Sequence, residues 1–151
     1  MKIRDILQGQ SQKPIVVRRE QNVVEAARIL AERNIGALVV VDEAGAIAGV
    51  ISERDIAYAF GNMGEATASC TVGELMTSSI ITIRPDETVE DAVYVFKAGL
   101  FRHLIVADGS KPVGVVSIRD IVRNLAPLLL EAKGRLDDQK MSSFLKALSA
   151  A

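Results

Sequence analysis

The sequence predicts an α/β (α+β) fold in which two β-α-β-β-α repeats pack as a pseudo-two-fold pair, followed by a C-terminal helical tail. Three observations predict this fold: an internal duplication, the same order of strand and helix patterns in both copies, and an ordinary globular composition. Hydrophobic residues make up 49% and charged residues 25% of the 151 residues. This balance is sufficient to bury a core within one duplicated domain.

The duplication is the strongest signal in the sequence. Residues 49–56 recur as residues 114–121, at an offset of 65, with six of the eight positions identical. Nearer the N-terminus the match continues without gaps at an offset of 66, for example from Leu38 to Leu104. The difference of one residue falls in predicted turns, where insertions are tolerated.

Each repeat shows the same order of predicted elements. A short strand leads to a helix that begins at a capping residue, Asn22 or Thr88, and two strands and a second helix follow. Neither repeat alone has enough surface to close a core, so we expect the two to pack together as one domain. The predicted boundaries are 1–68 for the first repeat with its lead-in and connector, 69–125 for the second repeat, and 126–151 for the tail.

The tail is predicted to be helical from residue 127 to residue 148, with Pro127 in the first turn and Gly134 as a weak point. It contains more leucine than a solvated helix needs. Two interpretations stay open: the tail folds back on its own domain, or it packs on a partner subunit.

Composition and charge argue against several classes of function. A net charge of −1 without a basic block argues against a nucleic-acid partner. No apolar stretch approaches the roughly 20 residues that span a bilayer. A single cysteine, Cys70, excludes an internal disulfide framework and indicates a reducing, cytoplasmic compartment. Because His103 is the only histidine, the sequence offers no cluster of metal ligands.

A Ser-x-x-Asp motif opens the last predicted helix of each repeat, as Ser52 with Asp55 and as Ser117 with Asp120. One interpretation is a capping box that satisfies the first free N–H groups of the helix. The other is a ligand site, because a helix start suits phosphate oxygens and a carboxylate can accept both hydroxyls of a ribose. The two roles are compatible.

This motif, which follows a glycine-led strand in both copies, resembles the CBS motif, named for cystathionine β-synthase. Two copies in tandem resemble the CBS pair, or Bateman module, over about residues 1–125. Many family members have proline at the positions of Val39 and Ile105. The resemblance implies a regulatory or sensor module that requires no cofactor and binds AMP, ADP or ATP between the repeats. NAD(H) or S-adenosylmethionine as the ligand, and a structural interaction module without a ligand, are the alternatives.

The resemblance further implies two ligand sites, each built from both repeats. One combines Ser117, Ile118, Arg119 and Asp120 with Ile35, Gly36, Ala37 and the strand at Val17. The other combines Ser52, Arg54 and Asp55 with Phe101, Arg102, His103 and the strand at Ile83. Some of these residues also have ordinary interpretations: the arginines of the two motifs as helix-surface residues, Ile35 and Phe101 as core residues, and His103 as a packing residue.

The two sites are expected to be unequal. Arg102 and His103 occupy the positions of Gly36 and Ala37, so the site that uses Asp55 should favour di- and triphosphates. Protonation of His103 would strengthen this preference as the pH falls toward about 6.5. The site that uses Asp120 should take AMP or an uncharged adenosine group. The alternative is that Arg102 points into solvent or pairs with an acid such as Asp108.

The sequence favours a binding module over an enzyme. It contains no recognisable nucleophile–base pair, no glycine-rich phosphate loop and no paired acids in a known catalytic frame. Apolar helix positions exceed what two small sheets can cover, which predicts a two-fold homodimer. A protein that the module regulates is a further expected partner, and the sequence does not identify it.

Overall fold

The computed structural model describes residues 1–9, 13–99, 101–133 and 138–150. The first repeat contains α1 (Ile3–Gln8), β1 (Val16–Arg18), α2 (Val23–Arg33), β2 (Ala37–Val41), β3 (Ile47–Ser52), α3 (Glu53–Met63) and a 3-10 helix (Gly64–Ser69). The second contains α4 (Val72–Leu75), β4 (Thr82–Ile83), α5 (Val89–Ala98), β5 (His103–Asp108), β6 (Lys111–Ser117) and α6 (Ile118–Lys133). The tail ends in α7 (Asp138–Ala150).

Two three-stranded sheets confirm the predicted fold class and its duplication. The strand orders are β1-β2-β3 and β4-β5-β6, and in each sheet the first pair is parallel and the second antiparallel. Val16 pairs with Val39 and Thr82 with Ile105, so the two sheets correspond at the offset of 66 seen in the sequence.

A hydrophobic cluster that contains residues of both repeats joins the two sheets. Val39, Val41 and Ile105 are buried in it, and Ile47 and Val115 pack against it. Val39 and Ile105 are the two positions at which the sequence departs from the proline of the CBS motif. Both are fully or almost fully buried, so an aliphatic side chain here adds apolar contact between the repeats.

The predicted helix starts have the expected caps. The side chain of Asn22 accepts a hydrogen bond from the N–H of Val24 at 2.7 Å. At the start of α5, the N–H of Asp91 donates to Thr88 Oγ1 at 3.1 Å and the N–H of Thr88 donates to Asp91 Oδ2 at 2.9 Å. Each bond satisfies a backbone group that has no partner within the helix.

The lead-in helices are exchanged between the repeats. Ile3 and Ile6 of α1 are buried in the core of the second repeat, and the N–H of Ile3 donates to the carbonyl of Glu87 at 2.9 Å. Val72 of α4 is buried in the core of the first repeat, and its N–H donates to the carbonyl of Gln21 at 2.8 Å. The predicted boundary at residues 68 and 69 therefore separates the two copies in the sequence. In the structure, the lead-in helix on each side of this boundary packs into the core of the other repeat.

The structure corrects the prediction for Pro127, which lies inside α6 and not in a first turn. The helix begins after Ser117 and continues because Ile121 and Ala126 are buried on its inner face. Proline removes one backbone donor from such a helix, and packing offsets that loss. Gly134 lies outside the described residues.

The tail folds back on its own chain. Leu145 and Leu148 of α7 border the same cavity as residues of both repeats. This is the first of the two interpretations that the sequence left open.

Replacing Ile6 with alanine should lower the free energy of unfolding by about 2–4 kcal/mol, because its side chain is 2% exposed in the core of the other repeat. The control is Val24→Ala on α2, where the side chain is 41% exposed and the cost should stay within about 0.5 kcal/mol. Denaturant unfolding measures both values. Equal, small effects would contradict the exchanged packing of α1.

Candidate functional site

Two cavities lie between the repeats, and residues of both repeats border each of them. The Asp55 cavity has a volume of about 300 Å³. The Asp120 cavity has a volume of about 1200 Å³. The predicted residues that border the Asp55 cavity are Ser52, Arg54, Asp55, Phe101, Arg102 and His103. Those that border the Asp120 cavity are Ile35, Gly36, Ala37, Ser117, Ile118, Arg119 and Asp120.

Val17 and Ile83 do not border either cavity, which corrects their place among the site residues. Each side chain is 2% exposed and lies in the core of its own repeat. Side chains alternate across a strand, and these two point inward. On the same segments, Ile15 borders the Asp120 cavity and Ile81 borders the Asp55 cavity.

The two Ser-x-x-Asp motifs form capping boxes of nearly identical geometry. The N–H and Oγ of Ser52 donate to Asp55 Oδ2 at 2.7 and 2.6 Å. The N–H and Oγ of Ser117 donate to Asp120 Oδ2 at 2.8 and 2.6 Å. Within the described parts of the chain, the hydrogen bonds to both carboxylates end on Oδ2, and Oδ1 accepts none. The capping interpretation therefore holds, and it leaves one carboxylate oxygen for another donor.

Each helix start is tied to the entrance of the middle strand in the same repeat. The N–H of Glu53 donates to the carbonyl of Gly36 at 3.1 Å, and the N–H of Ile118 donates to the carbonyl of Arg102 at 3.1 Å. These bonds fix the distance between the capping motif and the strand entrance. The walls of both cavities are thereby positioned by backbone groups.

The strand entrances of the two repeats meet at Gly36 and His103. A Cβ atom on Gly36 would lie 2.6 Å from Cε1 of His103, so the imidazole ring occupies the space that a side chain at residue 36 would need. Both His103 and its neighbour Arg102 border the two cavities. The expectation that they belong to the Asp55 site alone is therefore wrong.

Arg102 forms an ion pair with Glu53, and not with Asp108. Nη2 of Arg102 lies 3.8 Å from Oε1 of Glu53, with side chains 44% and 60% exposed. At this exposure water screens the pair, so its contribution to stability is small. The guanidinium lies at the boundary between the two cavities, because Arg102 and Glu53 both border each of them.

Burial lowers the pKa of His103 below its ordinary value. The carboxylates of Glu53 and Asp120 act in the opposite direction, while Arg102 and Arg119 lower the pKa further. The ring is therefore neutral at pH 7, and its protonation requires a lower pH than the value of about 6.5 expected from the sequence.

The charge of the cavity walls also differs from the expectation. Two basic side chains, Arg54 and Arg102, face two carboxylates in the Asp55 cavity, so its formal charge is zero. Among the described residues that border the Asp120 cavity, the carboxylates are those of Glu53 and Asp120. In the same described part of its wall there are five basic side chains, namely Lys13, Arg33, Arg102, Arg119 and Arg123. Basic side chains therefore outnumber carboxylates in the described wall of the Asp120 cavity and not in the Asp55 cavity. The sequence led us to expect the opposite.

Three of these basic residues were missed from the sequence. Lys13 precedes the first strand, and Arg33 lies in the last turn of α2, where a basic residue is common. Arg123 follows Arg119 by four residues and so shares its helix face. The spacing of Arg119 and Arg123 could have indicated a shared basic face in the sequence. It points to a ligand site only once α6 is known to border a cavity.

Among the described residues, no group of three or more His, Cys, Asp or Glu side chains is arranged to hold a metal ion. Likewise, none of the helices in the described ranges is both long and apolar enough to cross a membrane.

Acidification should destabilise the protein through His103. Its pKa in the unfolded chain is near 6.5 and its folded pKa is lower, so the unfolded chain binds more protons between these values. The contribution of the neutral His103 ring to the free energy of unfolding is complete above about pH 6.5. It is lost as the pH falls through the folded pKa. Denaturant unfolding at pH 7.5 and 5.5 measures the free energy of unfolding at each pH. Between these values it should fall less in His103→Gln than in wild type. Equal losses would contradict the burial of a neutral ring.

Comparison with known proteins identifies the family. The model of the CBS domain matches residues 3–62 and 72–127. An uncharacterised 17.7 kDa protein of Acidianus ambivalens is 37% identical over 114 residues, which cover 75% of this chain and 68% of that protein. The L-aspartate semialdehyde sulfurtransferase of Methanocaldococcus jannaschii is 36% identical over 80% of this chain, but the match spans 22% of that enzyme.

Solved structures agree with this family. The CBS-domain protein ATU1752 of Agrobacterium tumefaciens has a TM-score of 0.78 at 28% identity and covers 82% of this chain and 98% of its own. The CBS domain pair of protein MJ0100, solved with 5′-methylthioadenosine and S-adenosyl-L-methionine, has a TM-score of 0.75 at 31% identity, covering 84% and 97%. CBSX2, solved with AMP, has a TM-score of 0.68 at 26% identity, covering 84% and 97%. This chain therefore belongs to the CBS-domain family and contains a tandem pair of CBS domains.

Proposed function

We propose that this chain is a non-enzymatic regulatory module that binds an adenosine-containing nucleotide (AMP, ADP or ATP) between its two CBS repeats. One observation carries the proposal. Each cavity joins the capping carboxylate of one repeat to the strand entrance of the other, and that carboxylate keeps Oδ1 available. A nucleotide would therefore contact both repeats at once.

The chemistry of each wall fits one part of an adenosine nucleotide. The two ribose hydroxyls can donate to Asp120 Oδ1 in charge-assisted hydrogen bonds. The N-terminal end of α6 provides a positive dipole for a phosphate. On the other repeat, Ile35 and Ala37 border the cavity and offer apolar surface to the flat purine.

The ligands of similar structures support the adenosine part of the proposal. S-adenosyl-L-methionine and 5′-methylthioadenosine in one neighbour and AMP in the other share adenosine and differ beyond it. S-adenosylmethionine is the second candidate. Its sulfonium cation fits the basic Asp120 cavity less well than a phosphate does, because like charges repel.

A regulatory role is proposed over catalysis because the match to the sulfurtransferase named above covers 22% of that enzyme. The relative that is an enzyme has most of its length outside the match. We also propose that the module acts on a partner protein and that it works in the cytoplasm.

We further propose that two copies associate. Large apolar side chains are exposed on several helices, with Tyr58 65%, Phe60 51% and Tyr94 75% exposed, and Leu128 and Leu129 about half exposed. Such residues mark association surfaces when they lie together. Light scattering at tens of micromolar should give the mass of a dimer, and a mass of one chain would contradict this.

Replacing Asp120 with asparagine should weaken AMP binding in the Asp120 cavity by about 10- to 100-fold, because the ribose loses its charge-assisted acceptor. Titration calorimetry measures the change. Asp91→Asn is the matched control, since Asp91 forms the same capping box with Thr88 but borders neither cavity. The control should leave affinity unchanged. If a folded Asp55→Asn/Asp120→Asn double variant binds AMP as wild type does, the proposed site is wrong.

A further inference from the structure

We propose that the Asp120 cavity is the site for di- and triphosphate nucleotides, and that Lys13, Arg33 and Arg123 give it this preference. The Asp55 cavity then takes adenosine or AMP. This inference rests on the proposed function and adds to it the class of ligand that each cavity selects.

The three basic residues border the Asp120 cavity and not the Asp55 cavity, and the duplication shows what stands in their place in the other repeat. Under the correspondence of the repeats, at offsets of 66 and 65, each has a counterpart without formal charge. The counterparts of Lys13, Arg33 and Arg123 are Ser79, Gly99 and Tyr58. A charge that is present in one copy and absent from the other is a direct physical basis for different ligands.

The placement of the basic residues suits a chain of phosphates. Arg119 and Arg123 lie four residues apart on α6, so they share a face that begins beside Asp120. A phosphate chain that extends from a ribose held at Asp120 would meet these guanidiniums in turn. Arg33, in the last turn of α2, approaches the same cavity from the other repeat. Guanidinium groups pair with phosphate through two parallel hydrogen bonds.

The Asp55 cavity has less room as well as less charge. A Cβ atom on Gly99 would overlap the ring of Phe101, so that ring fills the space where the counterpart of Arg33 would begin. The cavity volume is about 300 Å³, against about 1200 Å³ for the Asp120 cavity. The smaller cavity suits a ligand with few phosphates.

Arg102 does not distinguish the two sites. It borders both cavities, and so does Glu53, the carboxylate with which it pairs. The difference in preference must therefore come from the residues that the cavities do not share.

The test measures ATP and AMP affinities by calorimetry in an Asp55→Asn background, which leaves the Asp120 cavity intact. Arg123→Ala and Arg33→Ala should each weaken ATP binding about 10-fold and AMP binding less than about 3-fold. Arg123→Lys should retain part of the ATP affinity, because lysine keeps the charge. Raising the salt concentration should reduce the ratio of the ATP affinity to the AMP affinity, because salt screens the charges. Arg84→Ala is the control, because Arg84 pairs with Asp86 and borders neither cavity.

The outcomes separate this inference from the proposed function. If AMP binds but neither arginine variant changes the ATP/AMP ratio, the inference is overturned and the proposed function stands. If the wild type binds neither nucleotide, the proposed function fails. Because Arg33 and Arg123 lie on different helices, a shared loss of ATP affinity in folded variants supports the inference and excludes the unfolding of one helix as its cause.

Discussion

The site depends on the hydrogen bonds between serine and aspartate at the starts of α3 and α6. Because the N–H and Oγ of Ser117 both donate to Asp120 Oδ2, at 2.8 and 2.6 Å, the carboxylate is held in one orientation. The same bonds begin the helix whose N-terminal end faces the cavity. The bonds that begin the helix thus also orient Oδ1, so a nucleotide bound as proposed would need no rearrangement of this acceptor.

The exchange of lead-in helices explains why the two repeats pack together and enclose two cavities. Ile6 completes the core of the second repeat and Val72 that of the first, so neither repeat has a complete core in isolation. A ligand between the repeats stabilises their arrangement by the free energy of its own binding. In the proposed function, this dependence of stability on occupancy is what a partner protein senses.

Much of the fold followed from the sequence, because the duplication fixed the order and register of the elements in both repeats. The capping boxes and the pairing of each motif with the other repeat's strand entrance also follow from local pattern and resemblance. The sequence could not show that Val17 and Ile83 face the core, since a short strand does not reveal its inner face. Nor could it place Lys13 and Arg33 at a cavity wall, because both belong to segments whose neighbours depend on tertiary packing.

The central claim is that one nucleotide contacts both repeats, with its ribose on one and its base on the other. A crystal structure with AMP tests this most directly. The account predicts ribose hydroxyls within hydrogen-bond distance of Asp120 Oδ1 or Asp55 Oδ1. It also predicts the purine against Ile35 and Gly36, or against Phe101, of the opposite repeat. Electron density for AMP that touches a single repeat, or that lies outside both cavities, would contradict the account.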